Sequence, residues 1–234
     1  MASKIGLSHE AHPRPTLLSD FILGSQDGLV NVLGILLGLV AAGSPMRIIE
    51  VGALAALAAE SISMGAVAYT STLSRRKLYL SEIERETREM HEVPELEREE
   101  VRVILRRWGY EGDEVEEMLR RIESKPQAWL DIMMAFELNL AEVQPHQPRD
   151  SGLIVLGATV VGSAVPLVPF LVGLSRDLAA IVSCAVTGVM LLGVGIYEAR
   201  TTDGAWWVSG ARMVFIGLGA GFAGFLVGKL VGVL

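Results

Sequence analysis

Glu60 and Met64 stand at i, i+4 in an apolar run, and Asp27 and Asn31 repeat that spacing in the apolar run before it. Residues four apart share one face of a helix. A carboxylate from each of two neighbouring helices, a thioether, and the nearby hydroxyls of Ser61 and Ser63 would suit a transient site for a divalent metal. Ionisable side chains inside a membrane span are expensive and are functional candidates by default. Each residue also has an ordinary reading: Asp27 as a helix-end cap, Glu60 as an interhelical hydrogen-bond partner, Met64 as a gap-filler in packing.

A second constellation is more acidic. Glu86 and Glu89 lie at i, i+3, Glu97 and Glu100 repeat the spacing, and Met133, Met134 and Glu137 form a compact set. Spacing of three puts each pair on one helix face, so three helices could direct carboxylates and sulfurs into one pocket. Carboxylates suit Mn(II) and Fe(II), and thioethers favour transition metals over Mg or Ca. On spacing alone, a helix this rich in Glu and Arg is more often a solvated face. His91 and His146 are either further ligands or surface residues. The single cysteine, Cys184, makes no intramolecular disulfide, and no CxxC pair exists for zinc. In its apolar run Cys184 reads as a small hydrophobe.

The elements that must hold these residues follow from where charge and apolar mass fall. Of 234 residues 51% are hydrophobic, with a mean hydropathy of +0.43, yet residues 75–150 hold 32 of the 47 charges. That segregation excludes an ordinary soluble domain. It indicates an all-α membrane protein with one water-facing helical insert. Five stretches are long enough to span as helices: 18–42, 48–73, 153–174, 178–197 and 213–234. The chain accordingly divides into an N-terminal tail (1–17), spans 1 and 2 (18–74), the insert (75–150) between spans 2 and 3, and spans 3 to 5 (151–234). The tail has no apolar run of its own, so a removable signal peptide is not expected.

With the N-terminus inside, inner segments carry 17 basic residues, among them Lys4, Arg14, Arg200 and Arg212. The outer loops carry only Arg47 and Arg176. The positive-inside rule then makes the insert cytoplasmic. The insert's excess of Asp and Glu disfavours a nucleic-acid partner. Gly34/Gly38, Gly217/Gly221 and Gly224/Gly228 are GxxxG pairs, which serve a tight bundle and a homodimer equally well. Pro166 and Pro169 should kink or break the third span. In the insert, 75–92 should continue the second span. Pro94 opens a helix to Trp108, Asp113 caps another ending near Ser124, and Pro126 opens one reaching about Glu142. Val101, Ile104, Leu105 and Trp108 at helical spacing supply a small core.

Taken together, Asp27-Gly28-Leu29-Val30, the segment Glu60-Ser61-Ile62-Ser63-Met64-Gly65, the Glu-rich insert closed by 129–138 (WLDIMMAFEL), and the Pro166/Pro169 span resemble the vacuolar iron transporter family. The resemblance is to a prokaryotic-type member with a cytoplasmic metal-binding domain, and it covers nearly the whole chain from about Phe21. It implies five spans per subunit in a homodimer, an ion path between subunits, and export of Fe(II), often Mn(II), from the cytosol in exchange for protons. By the same resemblance the insert ligands are Glu86, Glu89, Glu97, Glu100, Met133, Met134 and Glu137, and Asp27 and Met64 lie on the path.

The expectation is a secondary transporter and not an enzyme, without a prosthetic group, taking Fe(II) or Mn(II) and protons as substrates. It would sit in a cell (inner) membrane, or in a vacuolar membrane in a eukaryote. Two alternatives remain at this stage. A membrane-anchored metal sensor or buffer would have no need of the buried acids Asp27 and Glu60. A di-iron ferroxidase typically uses Glu-x-x-His pairs, whereas the insert offers Glu-x-x-Glu.

Overall fold

The computed structural model describes residues 15–201 and 204–232, so nearly all of the tail, with Lys4 and Arg14, lies outside the described residues. All regular structure among those residues is helical. Five helices are long and apolar enough to cross a membrane: α1 (Pro15–Ala41), α2 (Met46–Glu92), α6 (Gln147–Leu171), α7 (Arg176–Thr201) and α8 (Trp206–Gly232). The protein is a multi-pass membrane protein. Between α2 and α6 come α3 (Pro94–Arg107), α4 (Asp113–Glu123), α5 (Pro126–Ile132) and a π-helical turn, Met133–Glu137. By contact the chain forms two compact units, Thr70–Pro148 and the remainder.

In the span unit, α1 turns back into α2 because Gly43 takes φ +75°, which a side chain resists. The Ser44 N–H then reaches the Leu39 carbonyl at 3.1 Å and the Gly43 N–H that of Val40 at 3.0 Å, closing a Schellman motif. Lipid supplies no hydrophobic drive for helix to pack on helix, so close backbone approach does the holding. A Cβ on Gly224 or Gly228 of α8 would run into the carbonyl of Gly34 or Gly38 of α1. On another face of α1, a Cβ on Gly24 would lie 2.6 Å from the Val155 carbonyl of α6. Gly217 and Gly221 meet Leu191, Val30, Leu33 and Leu37. The GxxxG pairs are therefore spent inside the chain, which the sequence left open. Overfilling such a contact typically costs about 1–3 kcal/mol. Val32, Leu36, Ile49, Ala53, Leu167, Phe170 and Ala179 fill the apolar core.

Pro166 and Pro169 do not break the third span: α6 runs continuously through both. Two other expectations are corrected. Asp113 is the first residue of α4 rather than its cap; Gly112, at φ +55°, is the capping residue, and no side chain caps the end. The last helix of the insert stops at Glu137, not Glu142. There the Leu138 N–H bonds the Met133 carbonyl at 3.1 Å, five residues back, and Asn139 enters positive φ at 54°. A hydrogen-bond ladder that slips by one residue cannot resume as α-helix across a left-handed residue.

The insert unit has its own core of Val101, Leu105, Val115, Leu119, Trp129 and Met133. On its surface Arg102 holds Glu116 at 2.8 Å and Arg98 pairs with Glu123, pinning α3 to α4.

Candidate metal sites

Helix α2 brings Glu86 and Glu89 one turn apart, and Pro94 starts α3 so that Glu97 falls on its first turn. One carboxylate oxygen from each of Glu86, Glu89 and Glu97 lies within 4.8 Å of the others. Glu86 and Glu97 are each only 1% exposed, and an oxygen of each is buried without a hydrogen-bond partner. Arg85 reaches Glu86 at 3.2 Å and Glu89 at 3.6 Å. That arginine was not singled out in the sequence, although its position beside Glu86 and one turn before Glu89 is a readable signal.

Glu100 and Glu137 join the same electrostatic group. Desolvation first, then Glu100, Glu86, Glu137 and Glu89, push the Glu97 carboxyl up to about 8. Partial desolvation, then Glu100 and Glu86, raise Glu137 to about 7 against the pull of Arg85, although the residue as a whole is exposed. Glu100 is raised by desolvation, then by Glu86 and Glu89. Close carboxylates away from water cannot all stay ionised. Protons relieve the repulsion near neutral pH, and a divalent cation would relieve it better.

The sulfurs divide. Met134 is buried at 3% exposure outside the apolar cluster, whereas Met133 is fully buried inside it with Trp129 and Leu105. Met133 therefore does packing work whatever else it does. His91 is exposed and lines a cavity of about 390 Å³ with Thr87, Glu123 and Trp129, apart from the clustered acids. His146 is exposed, and Cys184 is half-buried with a free thiol.

In the span unit Asn31 joins the two acids. Its Nδ2 donates to Asp27 Oδ1 at 3.0 Å and to Glu60 Oε1. The other Glu60 oxygen and the Ser61 hydroxyl are buried without partners. Ser63 is exposed and Met64 half-buried, one turn after Glu60. Asp27 lies twelve residues inside α1, so it is no end cap. Sequence spacing had placed Asn31 on the Asp27 face, but its bridge to α2 is a tertiary fact.

A sequence model described as "VIT family" matches residues 18–229. "Vacuolar iron transporter 1" of Oryza sativa subsp. japonica is 33% identical over 229 residues, covering 96% of this chain and 91% of that one. The Arabidopsis thaliana protein of the same name is 33% identical, over 92% of this chain and 86% of its own. "Protein CCC1" of Saccharomyces cerevisiae is 26% identical, over 93% of this chain and 70% of its own.

Proposed function

The chain belongs to the VIT family, and from that premise we propose that it is a secondary transporter of Fe(II), and of Mn(II), moving metal out of the cytosol in exchange for protons. The observation that carries this reading is the Asp27–Asn31–Glu60 group inside apolar spans. An anchor has no use for two acids there, because burying them is costly unless a cation or proton visits.

In this reading the insert collects metal on Glu86, Glu89, Glu97, Glu100 and Glu137, with Met134 as a thioether ligand and Met133 beneath or beside it. Asp27, Glu60 and Met64 form the path. When metal leaves Asp27 and Glu60, a proton replaces the departing charge, which is the simplest form of exchange. The working unit is a homodimer with the path between subunits. In support, Asn31 and Ser63 are exposed polar side chains on apolar spans, a face that a second copy would cover better than lipid. The insert faces the cytoplasm by the positive-inside rule.

The test is metal-driven proton flux in liposomes containing the purified protein, comparing Fe(II), Mn(II), Co(II), Zn(II) and Ca(II). Flux with Fe(II) or Mn(II) but not Ca(II) is expected. Tight metal binding with no transport would instead make the protein a sensor or buffer. Aerobic turnover of Fe(II) to Fe(III) would make it an oxidase.

A further inference from the structure

Helix α8 carries two basic side chains on an otherwise apolar span. Lys229, near its C-terminal end, lies 5.9 Å from the centre of the Phe225 ring, a cation–π contact. Arg212 is placed differently. It stands about 9 Å along the helix axis from Trp206, the first residue of α8. Its Nη2 donates to both carboxylate oxygens of Glu198 on α7, at 2.8 and 2.7 Å. Both bonds use that one nitrogen, so the Nε and Nη1 donors are left without a partner among the described residues. The side chain also keeps 52% of its surface open. A guanidinium has no acceptor capacity and cannot shed its charge, so donors left over on a membrane span call for an anion.

An apolar cavity of about 730 Å³ lies on the same side of α8, between Leu192 of α7 and Trp207, Phe215, Leu218 and Gly219 of α8. Its volume is within the range of small-molecule sites. Arg212, Phe215 and Gly219 fall at i, i+3 and i+7, which places the guanidinium and the cavity on one helix face. Phe215 is 82% exposed and Trp207 63%, so the cavity opens away from the bundle. Gly219 keeps it open, because a Cβ there would meet nothing within 4 Å. Trp206 and Trp207 put this end of α8 at the membrane–water boundary, where indoles collect and lipid phosphates lie.

We propose that the seam between α7 and α8 is a phospholipid site: one acyl chain lies in the cavity along Phe215, Leu218 and Gly219, and the phosphate of the same lipid takes the donors of Arg212 that Glu198 leaves. The two halves of the site match the two halves of the ligand. The long aliphatic stem lets the guanidinium reach from the span toward the boundary, and bonds from arginine to phosphate are among the strong ones. Glu198 fixes the guanidinium over the seam, so little of its freedom remains to be lost on binding. An apolar face of a second copy would fill the cavity but bring Arg212 no anion, and charge complementarity therefore selects the lipid. The proposal needs only that α7 and α8 span a membrane, and it stands or falls apart from transport.

The test uses full-length protein, stripped of lipid in a neutral detergent and titrated with phosphatidylglycerol, with diacylglycerol of the same chains, or with inorganic phosphate. Bound lipid is read by native mass spectrometry and its effect by thermal unfolding. Phosphatidylglycerol should bind and raise Tm, while diacylglycerol and inorganic phosphate, each holding half of the ligand, should bind at least about tenfold more weakly, the scale of a lost charged hydrogen bond. Gly219→Leu fills the cavity, and the double variant Glu198→Gln/Arg212→Gln removes the cation without stranding the acid. Each should weaken phosphatidylglycerol binding by about tenfold or more and leave the lipid-free Tm near wild type. If Gly219→Leu does not fold, the double variant decides. Wild-type affinity in the double variant, or diacylglycerol binding as tightly as phosphatidylglycerol, overturns the proposal. So does a Gly219→Leu protein whose detergent-corrected mass falls, which would make the cavity a contact between copies.

Discussion

In the insert, Glu86, Glu89, Glu97, Glu100 and Glu137 crowd together with one nearby arginine, Arg85, whereas in the spans Asp27 and Glu60 share a single asparagine. The difference follows from what surrounds each group. A unit in water can keep a surplus of negative charge by holding some of it as protons, as Glu97 and Glu137 do near neutral pH. Apolar spans tolerate far fewer ionisable groups, so their site is lean, and a neutral amide stands between the acids. A crowded site favours capture and a lean one favours release, which is the division a transporter needs.

The sharpest way to break that comparison is Asp27→Asn. Asn keeps size and hydrogen bonding to Asn31 but loses the charge, and removing one partner of a buried charge costs about 3–5 kcal/mol. Transport in liposomes should fall about 100-fold or more, while Mn(II) binding to the insert persists. Near-normal flux would move the assignment to Glu60. Met133→Ala should lower stability by about 2–5 kcal/mol through a cavity beside Trp129, read by thermal unfolding. Met134→Ala, outside that cluster, should weaken metal affinity instead.

Next in size, Glu97→Gln should loosen Mn(II) binding by about 10- to 100-fold, at least what loss of an outer partner costs, in competition titrations. The pH dependence has a fixed sign. Below about 8 for Glu97 and about 7 for Glu137, metal must displace protons, so affinity should rise with pH across that range. Without metal, the folded insert binds more protons than the unfolded chain from the ordinary carboxylate range up to about 8. Apo stability therefore falls as pH rises through that window. The gain in Tm on adding Mn(II) should be larger at about pH 8 than at about pH 6. Smallest is Arg85→Gln. Arg85, half-buried, would compete with metal for Glu86 and Glu89, so its loss should tighten binding by up to about fivefold, the scale of a surface ion pair. Weaker binding would mean that Arg85 orients the acids rather than competing.

Much of this was legible in the sequence because it is written in length and polarity. The apolar runs give five spans, and Pro94 with Gly109 brackets α3. The acids at i, i+3 do converge, although spacing alone could not separate a pocket from a solvated face. What was not legible depends on partners distant in sequence. Gly34 and Gly38 carry no mark that their partners are Gly224 and Gly228 of the same chain. Asn31 reads as a neighbour of Asp27 and gives no sign of Glu60. Asp113 looks like a cap until the backbone of Gly112 takes that place. Met133 and Met134 are adjacent and identical, and only the tertiary core distinguishes them.

The π-helical turn at Met133–Glu137 makes the insert sensitive to length rather than to composition. Such a turn is a helix carrying one residue more than its neighbours. Ala135 sits within it, exposed and without chemistry of its own, so replacing it by serine should pass unnoticed. Deleting it would let the segment relax to a regular helix and swing every later residue by about 100° about the axis. All the proposed ligands would still be encoded, and Glu137 would point elsewhere. A single-codon deletion at this silent alanine should therefore injure the protein more than many substitutions of the methionines beside it.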